Sequence, residues 1–232
     1  MTLEEALARL AISVDLIPLS SSNRPGTKIQ PTYVTVHNTD NSSPGANAAM
    51  HASYLKCADA RQREVSWHFT IDDTQCLQHL PTNEMGWHAG KGNPVSVAIE
   101  VCQHAEINQR AAIERAALLA AVLMSELNIP KGRLVTHKHW TGKNCPDEIL
   151  NRFAGGFDAF AEMAEGYRVG FGDPIVGLLE TVTTGPVSAF GESEERRIAL
   201  GIDHHSGRLG DRIALVEEPL RQREAKECKE RD

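Results

Sequence analysis

The sequence is short of several things, and each shortage removes a class of protein. It lacks a cationic surplus: 24 Lys and Arg against 31 Asp and Glu leave a net charge of −7. The clustered positive charge that neutralises phosphates is missing, so no nucleic-acid partner is expected. It also lacks any uninterrupted apolar run near the roughly 18 residues that cross a bilayer, so no membrane insertion is expected. The start, Met1-Thr2-Leu3-Glu4-Glu5, is acidic where a secretion signal is basic. No small-residue cleavage site follows an apolar run, which predicts synthesis in the cytoplasm without a signal peptide. Cysteines are few and odd in number: Cys57, Cys76, Cys102, Cys145 and Cys228. Their scattered spacing predicts reduced thiols, not a disulfide framework.

What is present suits one domain with an appendage. The chain has 232 residues, 41% hydrophobic and 24% charged, enough to bury a core of ordinary size. Leu3 to Leu10 reads as a short helix, and Ser20 to Gly26 as a loop. Tyr33 to His37 alternates like a strand, and Ala46 to Arg61 carries helix formers after Pro44-Gly45. Ser66 to Ile71 and Cys76 to Leu80 flank Asp72-Asp73-Thr74 turn chemistry and predict a hairpin. Ser96 to Cys102 is a further strand. Asn108 to Leu127 is the longest helix, stopped before Pro130, and Leu134 to Thr136 is a last short strand. After Pro146 a helical stretch is interrupted at Gly155-Gly156. Strands mixed with helices predict an α/β layer structure around a central sheet. From about Gly166 the character changes, with frequent glycine, no tryptophan and a densely charged end from Glu217 to Asp232. Residues 1–165 are therefore expected to form the chemistry-bearing domain. Residues 166–232 are expected to form an appendage without an assigned role, its last dozen or so residues disordered.

Side-chain alternation places candidate chemistry on the sheet. Val34 and Val36 oppose Tyr33, Thr35 and His37. Trp67, Phe69 and Ile71 oppose His68 and Thr70. Val97, Ile99 and Val101 oppose Ser96, Ala98, Glu100 and Cys102. Each strand thus buries an apolar face and offers His37, His68 or Glu100 on the other, a pattern expected of a groove and not of a second core. A second cluster runs from His137 through His139, Trp140 and Lys143 to Cys145-Pro146. A zinc hydrolase needs three protein ligands and one open position. His37, one histidine of the cluster and Cys145 would supply them, and on spacing His137 and His139 both serve. Pro146 suits a first helical position, where the helix dipole would favour the Cys145 thiolate.

Six stretches, in order over about residues 17–150, make the sequence resemble the type-2 N-acetylmuramoyl-L-alanine amidases. These include phage endolysins and share a fold with peptidoglycan recognition proteins. The stretches are Asn23-Arg24-Pro25-Gly26, Val36-His37-Asn38-Thr39, Trp67 through Asp73, Trp87-His88-Ala89-Gly90, Ala98 through Cys102, and His137 through Pro146. The resemblance implies a central mixed sheet flanked by helices. It further implies Zn2+ held by His37, His137 and Cys145, the eight-residue spacing from His137 to Cys145 setting His139 aside. Glu100 is implied as the catalytic carboxylate, assisted by Lys143. The implied substrate is bacterial peptidoglycan, cut between the lactyl group of muramic acid and L-Ala, in an enzyme that reaches the wall after holin- or lysis-mediated release.

Other readings stand beside these. His68, Trp87 and His88 are candidate substrate contacts, but a hydrogen-bonded histidine or a packed indole would explain each as well. Cys57, Cys76 and Cys102 are most simply small apolar residues. His204-His205 lies outside the matched stretches. A cytosolic amidase recycling anhydro-muropeptides would keep the same chemistry. A non-catalytic peptidoglycan-binding relative would characteristically lack the cysteine, so Cys145 with Glu100 favours an enzyme. The sequence carries no sign of an oligomeric state.

Overall fold

The computed structural model describes residues 1–172. Six strands form one sheet: β1 (Ser13–Val14), β2 (Tyr33–Asn38), β3 (Phe69–Ile71), β4 (Cys76–Gln78), β5 (Ser96–Val101) and β6 (Leu134–Thr136). Their spatial order is β1-β4-β3-β5-β2-β6. Only β3 and β4 pair antiparallel, joined by the expected turn, so the sheet is mixed. That turn is built on Asp72, whose Oδ1 accepts from the amides of Thr74 and Gln75. Its Oδ2 accepts from Ala48 N at the start of α2 (Ala48–Leu55), tying the turn to that helix.

The sheet's apolar face carries the main core. Val34, Val36, Phe69, Ile71, Val97 and Ile99 are fully buried there under helices. The nearest is α4 (Gln109–Glu126), begun by Asn108, whose side chain accepts from Ala111 N. α4 lies between the sheet on one side and α1 (Leu3–Leu10) and α6 (Gly156–Gly170) on the other. A helix covered on both sides must be apolar around most of its girth, and its alanine and leucine content answers that need. Thr2 and Glu5 form a reciprocal cap at the start of α1. Arg115 of α4 donates to the Arg9 and Leu10 carbonyls at its end. α6 runs past residue 165 to Gly170, with Tyr167 and Phe171 still against the core.

The structure departs from the sequence expectations in several places. The helix read over Ala46 to Arg61 is two helices, α2 and α3 (Ala58–Gln62), parted at Lys56-Cys57. β1, two residues long, has too little pattern to be legible. A bend at His68 breaks the alternation before β3 begins, so Trp67 does not share the face of Phe69. Instead Trp67 packs with Ile17, Leu55, Leu80 and Ala98 in a small second core on the opposite face. That face is therefore part core and part groove, where a groove alone was expected. The tail features, His204-His205, Cys228 and the charged end, lie outside the described residues.

Candidate metal centre

The parallel register of β2 and β5 sets His37 opposite Glu100, and that of β5 and β3 sets Glu100 opposite Thr70. Two neighbours in this row interact: His37 Nδ1 lies 3.8 Å from Glu100 Oε1. Past β6 the chain turns into a short helix, α5 (His137–Thr141), so His137 opens a helix where a loop was expected. Thr136 caps it, accepting from His139 N. The return to Cys145 closes on itself, with Lys138 N donating to the Cys145 carbonyl at 3.0 Å. This closure brings both ends of the His137–Cys145 stretch to the edge of β2. One ligand atom each from His37, His137 and Cys145 lies within 4.8 Å of the others.

His139 points elsewhere. It stacks edge-on against Trp140, with ring centroids 4.7 Å apart, and is exposed. Trp140 donates from Nε1 to Thr35 Oγ1 at 2.9 Å, and its indole lies over Gly92, where a Cβ would approach it to 2.8 Å. Packing thus brings His137, and not His139, beside His37 and Cys145, since Trp140 anchors one side of α5 and leaves His137 on the other.

The electrostatics of the cluster follow from its burial. Burial, then His88, His137 and Lys143, hold His37 well below the ordinary histidine range. Burial and then Lys143 lower His137 as well. Both rings are therefore neutral and able to donate a lone pair at neutral pH. Burial raises Glu100 well above the usual carboxylate range; Lys143 pulls it back and Asp40 pushes it further. Glu100 Oε2 is buried without a hydrogen-bond partner among the described residues. Burial, then Glu100, pushes the Cys145 thiol up to about 12. This overturns the expected help from a helix dipole: the helical turn begins only at Glu148, beyond Pro146. A thiol so placed ionises only beside a cation.

The remaining expected site residues divide. Lys143 is half exposed and faces Asp40, with Nζ 3.6 Å from Oδ2. His68 is fully buried with both ring nitrogens engaged, Nε2 with the Glu84 carbonyl at 2.8 Å and Nδ1 with Ala98 N at 3.0 Å. That makes it a tie between β5 and the segment around Glu84, the hydrogen-bonded role that stood beside its expected substrate contact. Trp87 and His88 line an open cleft of about 370 Å³ together with Arg63, Glu64 and Asn93. His88 also touches the cluster, with Nδ1 3.1 Å from His37 Nε2.

Two supporting groups escaped the sequence reading. Asn38 donates to the Val101 carbonyl and accepts from Glu148 N, and its own carbonyl lies 3.9 Å from Cys145 Sγ. It thereby joins β2 to the loop that carries the thiol, and its position right after His37 was the available signal. Arg24 forms a two-pronged buried ion pair with Glu84, 2.8 Å and 3.2 Å, and donates to the Ile17 carbonyl. Asn23 donates to the Leu55 and Val65 carbonyls. The Asn23-Arg24-Pro25-Gly26 stretch is thus a brace for the wall behind His68, not part of the site.

An α/β domain whose sheet edge gathers two imidazoles and a thiol beside a buried carboxylate defines a candidate mononuclear metal site. The chain belongs to the N-acetylmuramoyl-L-alanine amidase family, which it matches at residues 27–148. It is 48% identical over 141 residues to N-acetylmuramoyl-L-alanine amidase XlyA of Bacillus subtilis (strain 168), covering 59% of this chain and 46% of that protein. To N-acetylmuramoyl-L-alanine amidase CwlH of the same organism it is 45% identical over 149 residues, covering 62% of this chain and 58% of that protein. The chain thus spans about half the length of the curated relatives it matches. Among solved structures it resembles the catalytic domain of XlyA, with a TM-score of 0.61 and 44% identity, covering 66% of this chain and 98% of that one.

Proposed function

We propose that this chain is a zinc-dependent N-acetylmuramoyl-L-alanine amidase. In this reading it hydrolyses the amide between the lactyl group of muramic acid and L-Ala in bacterial peptidoglycan, and acts as a lytic endolysin. The observation that carries the reading is the meeting of His37, His137 and Cys145 within 4.8 Å, next to Glu100. Family membership points to the bond, and the cluster points to the means.

The donor set fits zinc. Two neutral imidazoles and a sulfur make a three-ligand site with one position left for solvent or substrate. Burial holds the thiol protonated in the absence of a cation, so the pocket offers a thiolate only to a positive charge. Zinc held there would supply Lewis acidity to water and to the scissile carbonyl. Glu100, with one buried oxygen unpartnered, is placed to take a proton from the attacking water and return it to the leaving amine. Burial, which raises its pKa, favours holding the proton once taken until the amine leaves. Lys143 contributes positive charge from the rim, where it would favour the oxyanion that develops on the carbonyl. Trp87 and His88 border an open cleft, and His88 also touches His37, which makes this side of the cluster a candidate place for part of a muropeptide.

Metal analysis coupled to product mass on defined muropeptides tests the reading. One zinc per chain and a free stem peptide beginning at Ala are expected, and binding without new amino termini would leave only a recognition module. Intact sacculi and soluble anhydro-muropeptides, offered in parallel, separate a lytic enzyme from a recycling one. Rapid clearing of sacculi with poor turnover of the soluble fragments is the expected result.

A further inference from the structure

We propose that His88 is a positioning residue for His37: its Nδ1 accepts the Nε2 proton of His37, which fixes that ring as a single tautomer and leaves Nδ1 for the metal. The inference rests on the zinc reading above and goes beyond it by naming what aims the ligand.

The two nitrogens are 3.1 Å apart, and the rings meet edge to face with planes 83° apart. A ring nitrogen occupied in this way cannot also ligate. The other nitrogen, Nδ1, lies on the Glu100 side of the ring. His88 is not one of the three residues whose donor atoms converge, so it acts through His37 and not beside it. Ligating histidines generally hold their orientation and tautomer through a partner on the second nitrogen. Such partners are usually carboxylates or carbonyls; here the structure assigns the task to an imidazole.

The segment carrying His88 is fixed in a manner suited to that task. Ser66 and Trp87 exchange hydrogen bonds, Ser66 N to the Trp87 carbonyl at 3.2 Å and Trp87 N to Ser66 Oγ at 3.1 Å. The amides of His88 and Ala89 both donate to Asn93 Oδ1, at 3.0 and 2.7 Å. Gly86 allows the close approach, since a Cβ there would stand 3.0 Å from the Ser66 carbonyl oxygen and 3.4 Å from His68 Cε1. Behind His88 stands His68, ring centroids 6.0 Å apart, itself held by the backbone on both nitrogens. A ring braced from the backbone and from behind presents Nδ1 to His37, and its own proton then sits on Nε2, which is buried without a hydrogen-bond partner among the described residues.

Two measurements on the full chain test this. Zinc affinity is determined by competition with a chromophoric chelator, and the His37 tautomer by long-range proton–nitrogen correlation on the zinc-loaded protein. The expected results are a proton on His37 Nε2, a 10–100-fold weaker zinc affinity in His88→Ala at unchanged stoichiometry, and substantial recovery in His88→Asn. The asparagine amide can occupy the position of the imidazole Nδ1 and accept the same proton, so rescue separates positioning from bulk packing. Wild-type affinity in His88→Ala would overturn the proposal, as would a proton on His37 Nδ1 in the native chain. Complete loss of zinc in both variants would overturn it in favour of His88 as a direct ligand. Should the affinities follow the expected pattern while no muropeptide is cut, the amidase reading falls and the positioning role stands. A native chain that takes up no zinc removes both.

Discussion

Beneath α1, α4 and α6 the sheet presents Val34, Val36, Phe69, Val97 and Ile99, and nothing on that side asks for a particular partner. On the opposite side the same strands present three polar groups, His37 and Thr70 buried and Glu100 partly buried. The stability of the first side scales with apolar area removed from water, at about 25 cal/mol per Å². The second side must repay every desolvated group with a hydrogen bond. It mostly does so: Thr70 Oγ1 accepts from Trp67 Nε1 and meets His79 Nε2, and His68 is engaged twice. Among the described residues Glu100 Oε2 is left without a partner, as are His51 Nε2 and His88 Nε2, and beside Glu100 the donors of His37, His137 and Cys145 converge.

The sharpest way to test this contrast is to damage one face at a time. His37→Ala and Cys145→Ser are expected to lose zinc and to reduce muropeptide hydrolysis to background, while unfolding near the native temperature when metal-free. Glu100→Gln is expected to keep zinc and lose turnover. Metal content, hydrolysis and thermal unfolding read all three. On the apolar face, Phe69→Ala is expected to cost about 3–5 kcal/mol in denaturant unfolding while binding zinc normally once folded. If His37→Ala destabilised the metal-free chain as much as Phe69→Ala, the division of labour between the faces would be lost.

Acid should strike the polar face. Burial lowers His51, His68 and His79 to about 4 each, from an ordinary 6.5. The unfolded chain therefore binds more protons than the folded one between those values. Stability is intact above pH 6.5 and falls as the pH drops toward 4, by about 3 kcal/mol at most for each ring. Denaturant unfolding across that range measures the slope, and a flat profile would contradict the burial of these rings. Replacing His68 by Gln should flatten part of it.

Two smaller effects refine the comparison. Ending the chain at residue 165 removes Tyr167 and Phe171 from the core, whereas ending it at 172 keeps them. The shorter form is expected to be less stable by about 2 kcal/mol, with similar zinc affinity. Gly92→Ala pushes a methyl group into the Trp140 ring and should cost about 1 kcal/mol in thermal unfolding, with little effect on the metal.

Much of this arrangement was legible in the sequence where a pattern persists over several residues. β2 and β5 are long enough for alternation to place His37 and Glu100, and Asn108 marks the start of α4 by its cap. Short or bent elements were not legible. Trp67 was assigned to the wrong face because one bend at His68 reverses the parity of everything before it. The break at Lys56-Cys57 leaves no proline or glycine to announce it. The candidate metal residues were named because they lie in matched stretches; their convergence depends on the backbone closure between Lys138 and Cys145, which spacing does not encode. The brace made by Asn23 and Arg24 was equally hidden, since its partners lie some 30 to 60 residues away.

α6 rests on α4, behind the sheet, and the side chains of Tyr167 and Phe171 hold its far end there. The last described residues therefore lie behind the sheet, on the side turned away from His37 and Glu100. A reporter or a surface tether fused to a chain ended at residue 172 would stand clear of the candidate metal residues.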